Sequence, residues 1–398
     1  MPLPSFLQRP LRNALALLGA GLLAALAQAQ TPPQGVTPNE VLLGTIADLS
    51  GPVAPYGRDV RNGLQMAIAE INARGGIHGR QLRLLVEDHG YDPKRSVLAA
   101  QKLVNQDKVF GIVGSFGTPH SLAAMQVMFP RGVFSLFPMA LARETYEPLN
   151  PLKFAMLPAS FDQIAPVVPG LYRERKATRA CVLYQDDDFG HEVLNGTEAG
   201  LKAVGATLVE RASYKRGATD FSSQVARLKA ANCDFVVLGT IIRETVGVIA
   251  EARKLGFAPT FLISSTGYSE LIPRLGGKDM DGLYAVHTAA FPYLDDASAP
   301  VADWAKRYQA QFQSVPTIFA VYGYTKINLI ARALERAGPQ LTTEGFTRAM
   351  EGVDVPGDIF GNPPMRFSAT QHLGSSRSRL SQLQNGRWKV VLDYDQFP

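Results

Sequence analysis

Residues 41–113 alternate between strand-like and helix-like patterns, and this alternation constrains the fold more than any other feature. Val41–Ala47 is an apolar run of strand length that ends in the turn-forming stretch DLSGP. Apolar residues then recur at intervals of three and four, as on one helix face: Val60, Leu64, Ala67, Ile68 and Ile71. A second helix, opened by Asp92-Pro93, lies between predicted strands at 82–87 and 109–113. The series predicts a parallel sheet covered by helices on both faces.

A second series of the same kind begins near residue 180. Its predicted strands alternate with helical patterns and lie at 180–184, 207–213, 235–239 and 260–263. After about His287 the pattern changes to long helices, at 301–313 and 319–337. A chain of 398 residues with 46% hydrophobic content can form two domains with separate cores. Two similar α/β lobes in one chain predict a cleft between them.

The first 29 residues have the pattern of a secretory signal peptide. Arg9 and Arg12 precede an apolar run at 14–27, and Ala27-Gln28-Ala29 forms a small-residue cleavage site. The run is shorter than the roughly 20 residues that a transmembrane helix needs. No cysteine follows the cleavage site, so we expect an exported protein without a membrane anchor.

Charge and motifs argue against nucleic-acid binding and catalysis. The formal net charge is +5, or +3 without Arg9 and Arg12, and the basic residues are dispersed. The sequence has no Gly-x-Ser-x-Gly elbow, Walker loop or dinucleotide fingerprint. Its six histidines lack metal-site spacing, and His120 is expected on a helix surface. We therefore predict a protein that is not an enzyme and needs no metal or cofactor.

Three predicted loops follow strand ends, where open parallel sheets bind ligands: residues 49–57, 114–119 and 138–141. The loop Gly114–Pro119 leads into a helix, and free amides at a helix start attract anions such as a ligand carboxylate. A purely structural interpretation also fits, with Thr118 as the N-cap and Pro119 in the first turn. Both interpretations can hold together.

Three segments resemble the Leu/Ile/Val-binding protein family, which comprises type I periplasmic solute-binding proteins of ABC importers. They are SGPVAPYG, ARGGIHGRQLRLLVEDHGYDP and FSSQVARLKAANCDFVVLGT, and the similarity extends from about Val41 to about Val391. The resemblance implies two doubly wound parallel-sheet α/β lobes joined by a three-segment hinge. It places lobe 1 at 38–158 plus 289–364, and lobe 2 at 159–288 plus 365–398. The carboxyl segment from Met365, with an Asn385-Gly386 hairpin turn, would then lie beside lobe 2.

The resemblance also implies the ligand contacts. Tyr56 would pack over the ligand, Phe116 to Thr118 would hold its carboxylate, and residues 139–140 would offer backbone contacts. Tyr56 could instead cover the sheet edge, and Phe319 could be an ordinary core residue. The predicted ligand-binding residues are Ser50, Tyr56, Phe116, Gly117, Thr118, Met139, Ala140, Asp188, Phe189, Thr266 and Phe319.

Two positions depart from the family pattern for amino acids. Thr266 stands where an acidic side chain pairs with the ligand ammonium, and Leu141 replaces a hydroxyl that helps to hold the carboxylate. A hydroxyl cannot neutralise a buried ammonium. The acids at 186–188 face the cleft only if they are not helix caps and rim residues, and Asp162 and Glu244 are further alternatives. If no acid reaches the pocket, we expect a carboxylate without an α-ammonium, an amide or an aromatic acid.

By resemblance, the protein is the periplasmic substrate-binding component of an ABC importer. We expect a monomer that binds a small amphipathic carboxylate or amide, such as a branched-chain amino acid or a related compound, and docks on an inner-membrane permease. A ligand-sensing receptor module with the same fold is the alternative, and an exported enzyme is a third. Cys181 and Cys233 fall near the starts of neighbouring strands, so they either form a disulfide or are two separate small core residues.

Overall fold

Two β-sheets with flanking helices make up the molecule, which we describe in a computed structural model covering residues 32–393 and Gln396. The predicted signal peptide at 1–29 lies outside the described residues. Each sheet belongs to one lobe, and we call these the first and second lobes in chain order. Within the described residues, no helix is both long enough and apolar enough to cross a membrane.

The first lobe contains a five-stranded parallel sheet in the order β2-β1-β3-β4-β5. Its strands are β1 (Glu40–Ala47), β2 (Gln81–Asp88), β3 (Gly111–Val113), β4 (Phe134–Leu136) and β5 (Lys153–Phe154). The helices between them are α1 (Ala54–Ala73), α2 (Pro93–Gln101) and α3 (Thr118–Met128). Asp92 caps α2 as predicted, because its side chain accepts a hydrogen bond from the Lys94 amide.

The second lobe repeats this strand order as β7-β6-β8-β9-β10 and adds two antiparallel strands beside β10. Its strands are β6 (Ala180–Gln185), β7 (Leu208–Tyr214), β8 (Phe235–Gly239), β9 (Thr260–Ile263), β10 (Tyr284–His287), β13 (Arg379–Gln384) and β14 (Arg387–Leu392). Its helices are α4 (Ser160–Glu174), α5 (Asp188–Lys202), α6 (Ser222–Ala230), α7 (Ile242–Lys254) and α8 (Leu271–Gly276). Both sheets therefore reverse their strand order at the same place, between the first and third strands.

The chain passes between the lobes three times: after β5, after β10 and before β13. After β10 come α9 (Ala299–Phe312), α10 (Ile318–Ala337) and α11 (Thr343–Glu351). Helix α10 packs along α1, which returns this part of the chain to the first lobe. Thr317 caps α10 by accepting from the Phe319 amide. The predicted α/β fold with two parallel-sheet lobes is confirmed.

The carboxyl segment is divided between the lobes. Strand β12 (Met365–Arg366) pairs with β11 (Asp354–Val355), and the Ala155 amide donates to the His372 carbonyl, so residues 365–374 lie beside the first lobe. Only the hairpin of β13 and β14 joins the second sheet, with its turn at Asn385-Gly386 as predicted. This differs from the expectation that the segment lies beside the second lobe from Met365 onward. The boundaries assigned to the lobes stay a prediction.

A disulfide joins Cys181 in β6 to Cys233, two residues before β8, with the Cα atoms 5.9 Å apart. Strands β6 and β8 are neighbours in the sheet, as the βαβ pattern predicted. Of the two alternatives that the sequence left open, the structure has the disulfide.

Candidate functional site: the cleft between the lobes

A cleft lies where the carboxyl ends of the strands of both sheets face each other, at the reversal of strand order. The space between its walls, open solvent included, is about 530 Å³. Ten of its fourteen lining residues are aromatic or aliphatic, and none is charged. The lining residues are Tyr56, Tyr91, Phe116, Gly117, Thr118, Met139, Leu141, Leu157, Phe189, Ile241, Ser265, Thr266, Phe319 and Tyr322.

Aromatic rings dominate the first-lobe wall. The ring of Tyr56 stacks on that of Phe319 with centroids 3.7 Å apart, and Phe116 lies 6.5 Å from Tyr56. Tyr56 comes from the first turn of α1, where the Asp48 carboxylate accepts from the Gly51 and Val53 amides and fixes the preceding loop. Tyr56 and Phe319 are buried core residues that also line the cleft, and their contact with a ligand stays a prediction.

The loop before α3 has fewer free amides than the sequence suggested. The Gly114, Phe116 and Gly117 amides donate to backbone carbonyls, and the last two bonds hold the loop to its neighbouring strand ends. Gly117, at φ 93°, is the N-cap, which corrects the assignment of Thr118 to that position. Thr118 is the first residue of α3, and its hydroxyl accepts from the Leu141 amide. At this helix start, the Thr118 amide donates to no backbone carbonyl within the described chain and can face an anion.

His120 is fully buried, which corrects its expected place on a helix surface. Its ring stacks on His89 at 4.5 Å and packs against Tyr91, a cleft residue. Burial lowers the pKa of His120 to about 3, so the ring is neutral at physiological pH. His89 accepts from the Tyr91 amide through Nδ1, and its Nε2 lies 2.9 Å from the Phe116 carbonyl oxygen. The pair supports the wall of the cleft from behind.

The second-lobe wall is smaller, and its polar groups are already engaged. Phe189 and Ile241 supply apolar surface. The Thr266 hydroxyl donates to the Thr240 carbonyl at 2.9 Å, and the Ser265 amide donates to the Gln163 side chain. Thr266 therefore lines the cleft as predicted, but its hydroxyl hydrogen is directed into the second lobe.

The second-lobe acids considered for ligand contact are engaged elsewhere. Asp187 caps α5 and pairs with Arg216, which confirms the capping interpretation. Asp186 pairs with Lys215, and Asp162 pairs with Arg143. Asp188 is exposed and lies outside the cleft lining.

Glu244 differs from these acids. It lies in the first turn of α7, three residues after Ile241, and is 4% exposed. Its Oε2 atom has no hydrogen-bond partner within the described chain. Burial raises the pKa of Glu244, which favours the neutral acid. Glu244 is not among the lining residues, so it lies behind the second-lobe wall.

The two lobes touch across the cleft. The Tyr56 hydroxyl donates to the Thr266 carbonyl oxygen at 3.3 Å. Burial raises the pKa of Asp59, in α1, to about 6 and that of Glu270, which precedes α8, to about 7. The charge of Asp59 adds to the increase at Glu270, so these two carboxylates from opposite lobes repel each other when ionised.

Eight of the eleven predicted residues line the cleft, and Ser50, Ala140 and Asp188 do not. The Ser50 hydroxyl donates to Asp88 at the exposed rim. Leu141 also lines the cleft, in agreement with the expectation of a more apolar pocket. Sequence reasoning missed five lining residues: Tyr91, Leu157, Ile241, Ser265 and Tyr322. Tyr91 and Ile241 closely follow the ends of β2 and β8, so their positions after strand ends could have predicted that they line the cleft.

The chain belongs to the periplasmic binding protein family, in its type I Leu/Ile/Val-binding branch. The family model described as "Periplasmic binding protein" matches residues 40–387. The Leu/Ile/Val-binding protein homolog 7 of Brucella melitensis is 26% identical over 357 residues, which cover 86% of this chain and 87% of the relative. Family members are solute-binding proteins, and the family is periplasmic.

Solved structures show the same fold. A fatty acid ABC transporter substrate-binding protein from Thermomonospora curvata has a TM-score of 0.82 at 23% identity, covering 93% of this chain and 97% of that chain. A branched-chain amino acid transporter substrate-binding protein from Streptococcus pneumoniae, in complex with isoleucine, has a TM-score of 0.75 at 21% identity, covering 89% and 100%. Among the described residues, no group of three or more His, Cys, Asp or Glu side chains could hold a metal ion.

Proposed function

We propose that this protein is the substrate-binding component of an ABC importer and that its ligand is a small apolar or aromatic carboxylate without an α-ammonium group. The ligand would lie in the cleft between the lobes. The observation that carries this proposal is the absence of any acidic side chain among the fourteen residues that line the cleft.

Burying an ammonium group in this cleft would be costly. An amino acid in this cleft would lose the water around its ammonium group, and a buried charge without a partner costs several kcal/mol. Thr266 cannot repay that cost, because its hydroxyl oxygen can accept a hydrogen bond but carries no charge that would neutralise the ammonium. Glu244 is buried outside the cleft lining, and burial favours its neutral form.

The first-lobe wall is suited to an apolar or aromatic ligand. The stacked rings of Tyr56 and Phe319, with Phe116 and Tyr322 beside them, provide a broad apolar surface. Burying apolar ligand surface contributes about 25 cal/mol per Å². The free Thr118 amide at the start of α3 offers one donor for a carboxylate.

The fold is compatible with more than one ligand class. Of the two structural neighbours described above, one is named as a fatty acid ABC transporter substrate-binding protein, and the other was solved in complex with isoleucine. At these sequence identities the neighbours support the fold alone. The choice of ligand class therefore rests on the residues that line the cleft. By the same proposal, the leader at 1–29 directs the protein to the periplasm. There it acts as a monomer and delivers its ligand to an inner-membrane permease.

Isothermal titration calorimetry of the mature protein tests the ligand class. The probes are 4-methylpentanoate, 3-phenylpropanoate and leucine, of which only leucine carries an ammonium. We expect at least one of the two deaminated acids to bind tenfold or more tightly than leucine. Leucine binding ten times more tightly than both acids would overturn the ligand class.

A variant at Tyr56 tests the location of the site. Tyr56→Ala removes the ring stacked on Phe319 and should weaken binding of the preferred acid by about 30-fold or more, because aromatic anchors carry much of the energy in such sites. The matched control is Tyr56→Phe, which keeps the ring and loses only the bond to Thr266, with an expected change below about fivefold. Equal binding by wild type and Tyr56→Ala would place the site elsewhere.

Uptake by cells tests the transport role. Deletion of the gene should abolish high-affinity uptake of the labelled acid, and the wild-type gene should restore it. Restoration by Tyr56→Ala at wild-type efficiency would contradict a role for this cleft. Unchanged uptake in the deletion strain, together with tight binding in vitro, would favour a receptor that senses the ligand.

A further inference from the structure

A lysine lies directly behind the first-lobe wall of the cleft. Lys326, in α10, has no exposed surface. Its Nζ atom lies 3.1 Å from the Met139 sulfur and 5.8 Å from the centre of the Tyr322 ring, and both of these residues line the cleft. A side-chain carbon built at Gly114 would meet the lysine stem at 3.7 Å, so the stem runs beside the start of the loop before α3. One layer of side chains separates this amine from the ligand space.

Among the residues that the structure describes, this lysine has no acidic partner. Asp59 in α1 accepts from Thr317 and Tyr308, and Glu70 in the same helix accepts from Tyr324. The thioether of Met139 is a weak acceptor and carries no charge. Burial is the single cause that lowers the pKa of Lys326 to about 7, so no nearby carboxylate stabilises its ammonium form.

The remaining groups around Lys326 do not change this conclusion. Asp358, in the loop after β11, accepts from Thr325 and Asn362. Glu351, at the end of α11, lies 3.4 Å from His372. Burial raises the pKa of Tyr322 to about 12, so this phenol is neutral over the physiological range.

Packing alone does not account for a lysine at this position. A methionine would fill similar space without an ionisable group, and replacing buried charges by apolar residues of similar volume is often neutral or stabilising. The fourteen lining residues, moreover, carry no charge. None of them can therefore neutralise an anion bound at the Thr118 amide.

We propose that Lys326 is the counter-charge for a carboxylate bound in the cleft and is the residue that sets the preference for an anionic ligand. This inference rests on the proposed function and assigns the charge selectivity of that site to one residue. The carboxylate would bind near the Thr118 amide and Met139. The flexible Met139 side chain separates it from the ammonium and can move aside.

Binding of an anion would then be coupled to proton uptake. A carboxylate in the cleft stabilises the ammonium form and raises the pKa of Lys326, so an amine that is about half protonated at pH 7 takes up about half a proton. Affinity for carboxylates should fall as pH rises from 7 to 9, because protonation of the amine then requires more free energy. An uncharged amide of the same shape should show little of this dependence.

Asp59 and Glu270 also titrate near this range, so they must be separated from Lys326. Burial raises their pKa values to about 6 and about 7, and their repulsion opposes closure as pH rises. This effect acts on every ligand, whereas the effect of Lys326 requires a ligand charge. Comparing a carboxylate with its amide distinguishes the two causes.

The test is calorimetry of the mature protein with 3-phenylpropanoate, 3-phenylpropanamide and leucine at pH 6, 7 and 8. Measurements in phosphate and in Tris, which differ in ionisation enthalpy, count the protons taken up. We expect wild type to take up more protons with the carboxylate than with the amide, since the contribution of Asp59 and Glu270 is common to both. Lys326→Met should weaken carboxylate binding by tenfold or more at pH 6, change amide binding less than threefold, and abolish the difference in proton uptake between the two ligands.

Two controls accompany this variant. Arg332→Met replaces an exposed cation in the same helix and should leave binding of both probes unchanged. Glu270→Gln should keep the carboxylate-specific proton uptake, because it leaves Lys326 in place. The wild-type proton count needs no variant, so the proposal stays testable even if Lys326→Met does not fold.

The outcomes separate this inference from the proposed function. Carboxylate binding by Lys326→Met within twofold of wild type, or the same proton uptake with carboxylate and amide, overturns the role of Lys326. Preference of wild type for leucine overturns the proposed ligand class, but Lys326→Met should then still weaken leucine binding, since leucine also carries a carboxylate. Failure of wild type to bind either carboxylate probe contradicts both proposals.

Discussion

The two walls of the cleft are built on the same strand order but differ in the charge behind them. Behind the first-lobe wall lies the amine of Lys326, which has no acidic partner within the described part of the chain. Behind the second-lobe wall lies the carboxyl of Glu244, with one oxygen unpaired in the same part. Burial lowers the pKa of the lysine and raises that of the acid, so both are biased toward their neutral forms.

If Lys326 acts as we propose, the charge of a ligand is recognised from behind an apolar surface. None of the residues that line the cleft carries a charge, and the Lys326 amine lies against two of them, Met139 and Tyr322. The wide first-lobe wall has the amine and the narrower second-lobe wall has the acid. An anion bound against the first lobe and the loop before α3 would therefore lie on the side of the cleft that has the amine, which attracts a negative charge.

The largest expected effect concerns a second difference between the lobes, the disulfide of the second lobe. Replacing both Cys181 and Cys233 by alanine should lower the free energy of unfolding by about 4 kcal/mol, because the bond closes a loop over 52 positions in the unfolded chain. Denaturation in urea, with and without reductant, measures this. Reductant should destabilise wild type and leave the double variant unchanged. Equal stability of wild type with and without reductant would contradict the prediction.

Lys326→Met should stabilise the unliganded protein by about 1–4 kcal/mol, since it removes an uncompensated buried amine. The folded-state pKa lies below the ordinary value of 10.5, so the unfolded chain binds the extra proton between pH 7 and 10.5. Wild-type stability should therefore rise with pH across this window. The gain from the substitution should be largest below pH 7 and smallest near pH 10, as measured by chemical denaturation.

The matched control for that stability measurement is Arg332→Met, at an exposed position of the same helix, with an expected change within about 0.5 kcal/mol. A gain from Lys326→Met that does not vary with pH would mean that Lys326 is not the group that titrates.

Glu244→Gln should have the opposite pH dependence. Burial raises the pKa of Glu244 in the folded state, so the folded protein holds this proton more firmly and wild type loses stability as pH rises above the ordinary value of 4.5. The variant has no such loss, so it should be more stable than wild type by about 1 kcal/mol at pH 8 and equal to it at pH 4. Thermal melts at the two pH values measure the difference.

Glu251→Gln is the control for that variant, because Glu251 is a less buried acid of the same helix that pairs with Lys254. If Glu244→Gln also weakened binding of leucine tenfold without affecting 3-phenylpropanoate, the acid would be an ammonium partner. Lys326 and Glu244 would then bind the carboxylate and the ammonium of a zwitterion, respectively.

The smallest expected effect is at the rim. Ser50→Ala should change affinity for the preferred acid less than twofold, because the Ser50 hydroxyl binds Asp88 and lies outside the cleft lining. Phe116→Ala, in the first-lobe wall, is the comparison and should cost tenfold or more in affinity, measured by the same calorimetry. A large loss from Ser50→Ala would extend the binding site to the rim.

Much of the fold followed from local patterns. Strands β8 and β9 have the predicted bounds, because Gly239 ends the first and Pro259 precedes the second. The sequence did not predict that the carboxyl segment is divided between the two lobes. The pairing of β12 with β11 and the bond from Ala155 to His372 join residues far apart in sequence, and no local pattern records them.

The sequence alone determined the class of fold and the position of the cleft, because both depend on where parallel strands end. Most of the predicted lining came from the family resemblance, since residues such as Tyr56 and Phe319 lie in helices and not at strand ends. Tertiary structure decided which polar groups in the cleft remain available. The Phe116 and Gly117 amides looked free in the sequence and are bonded, and His120 looked exposed and is buried. The sequence pattern of α10 gave no sign that Lys326 is buried away from every described acid, because its surroundings come from distant segments that only folding brings together.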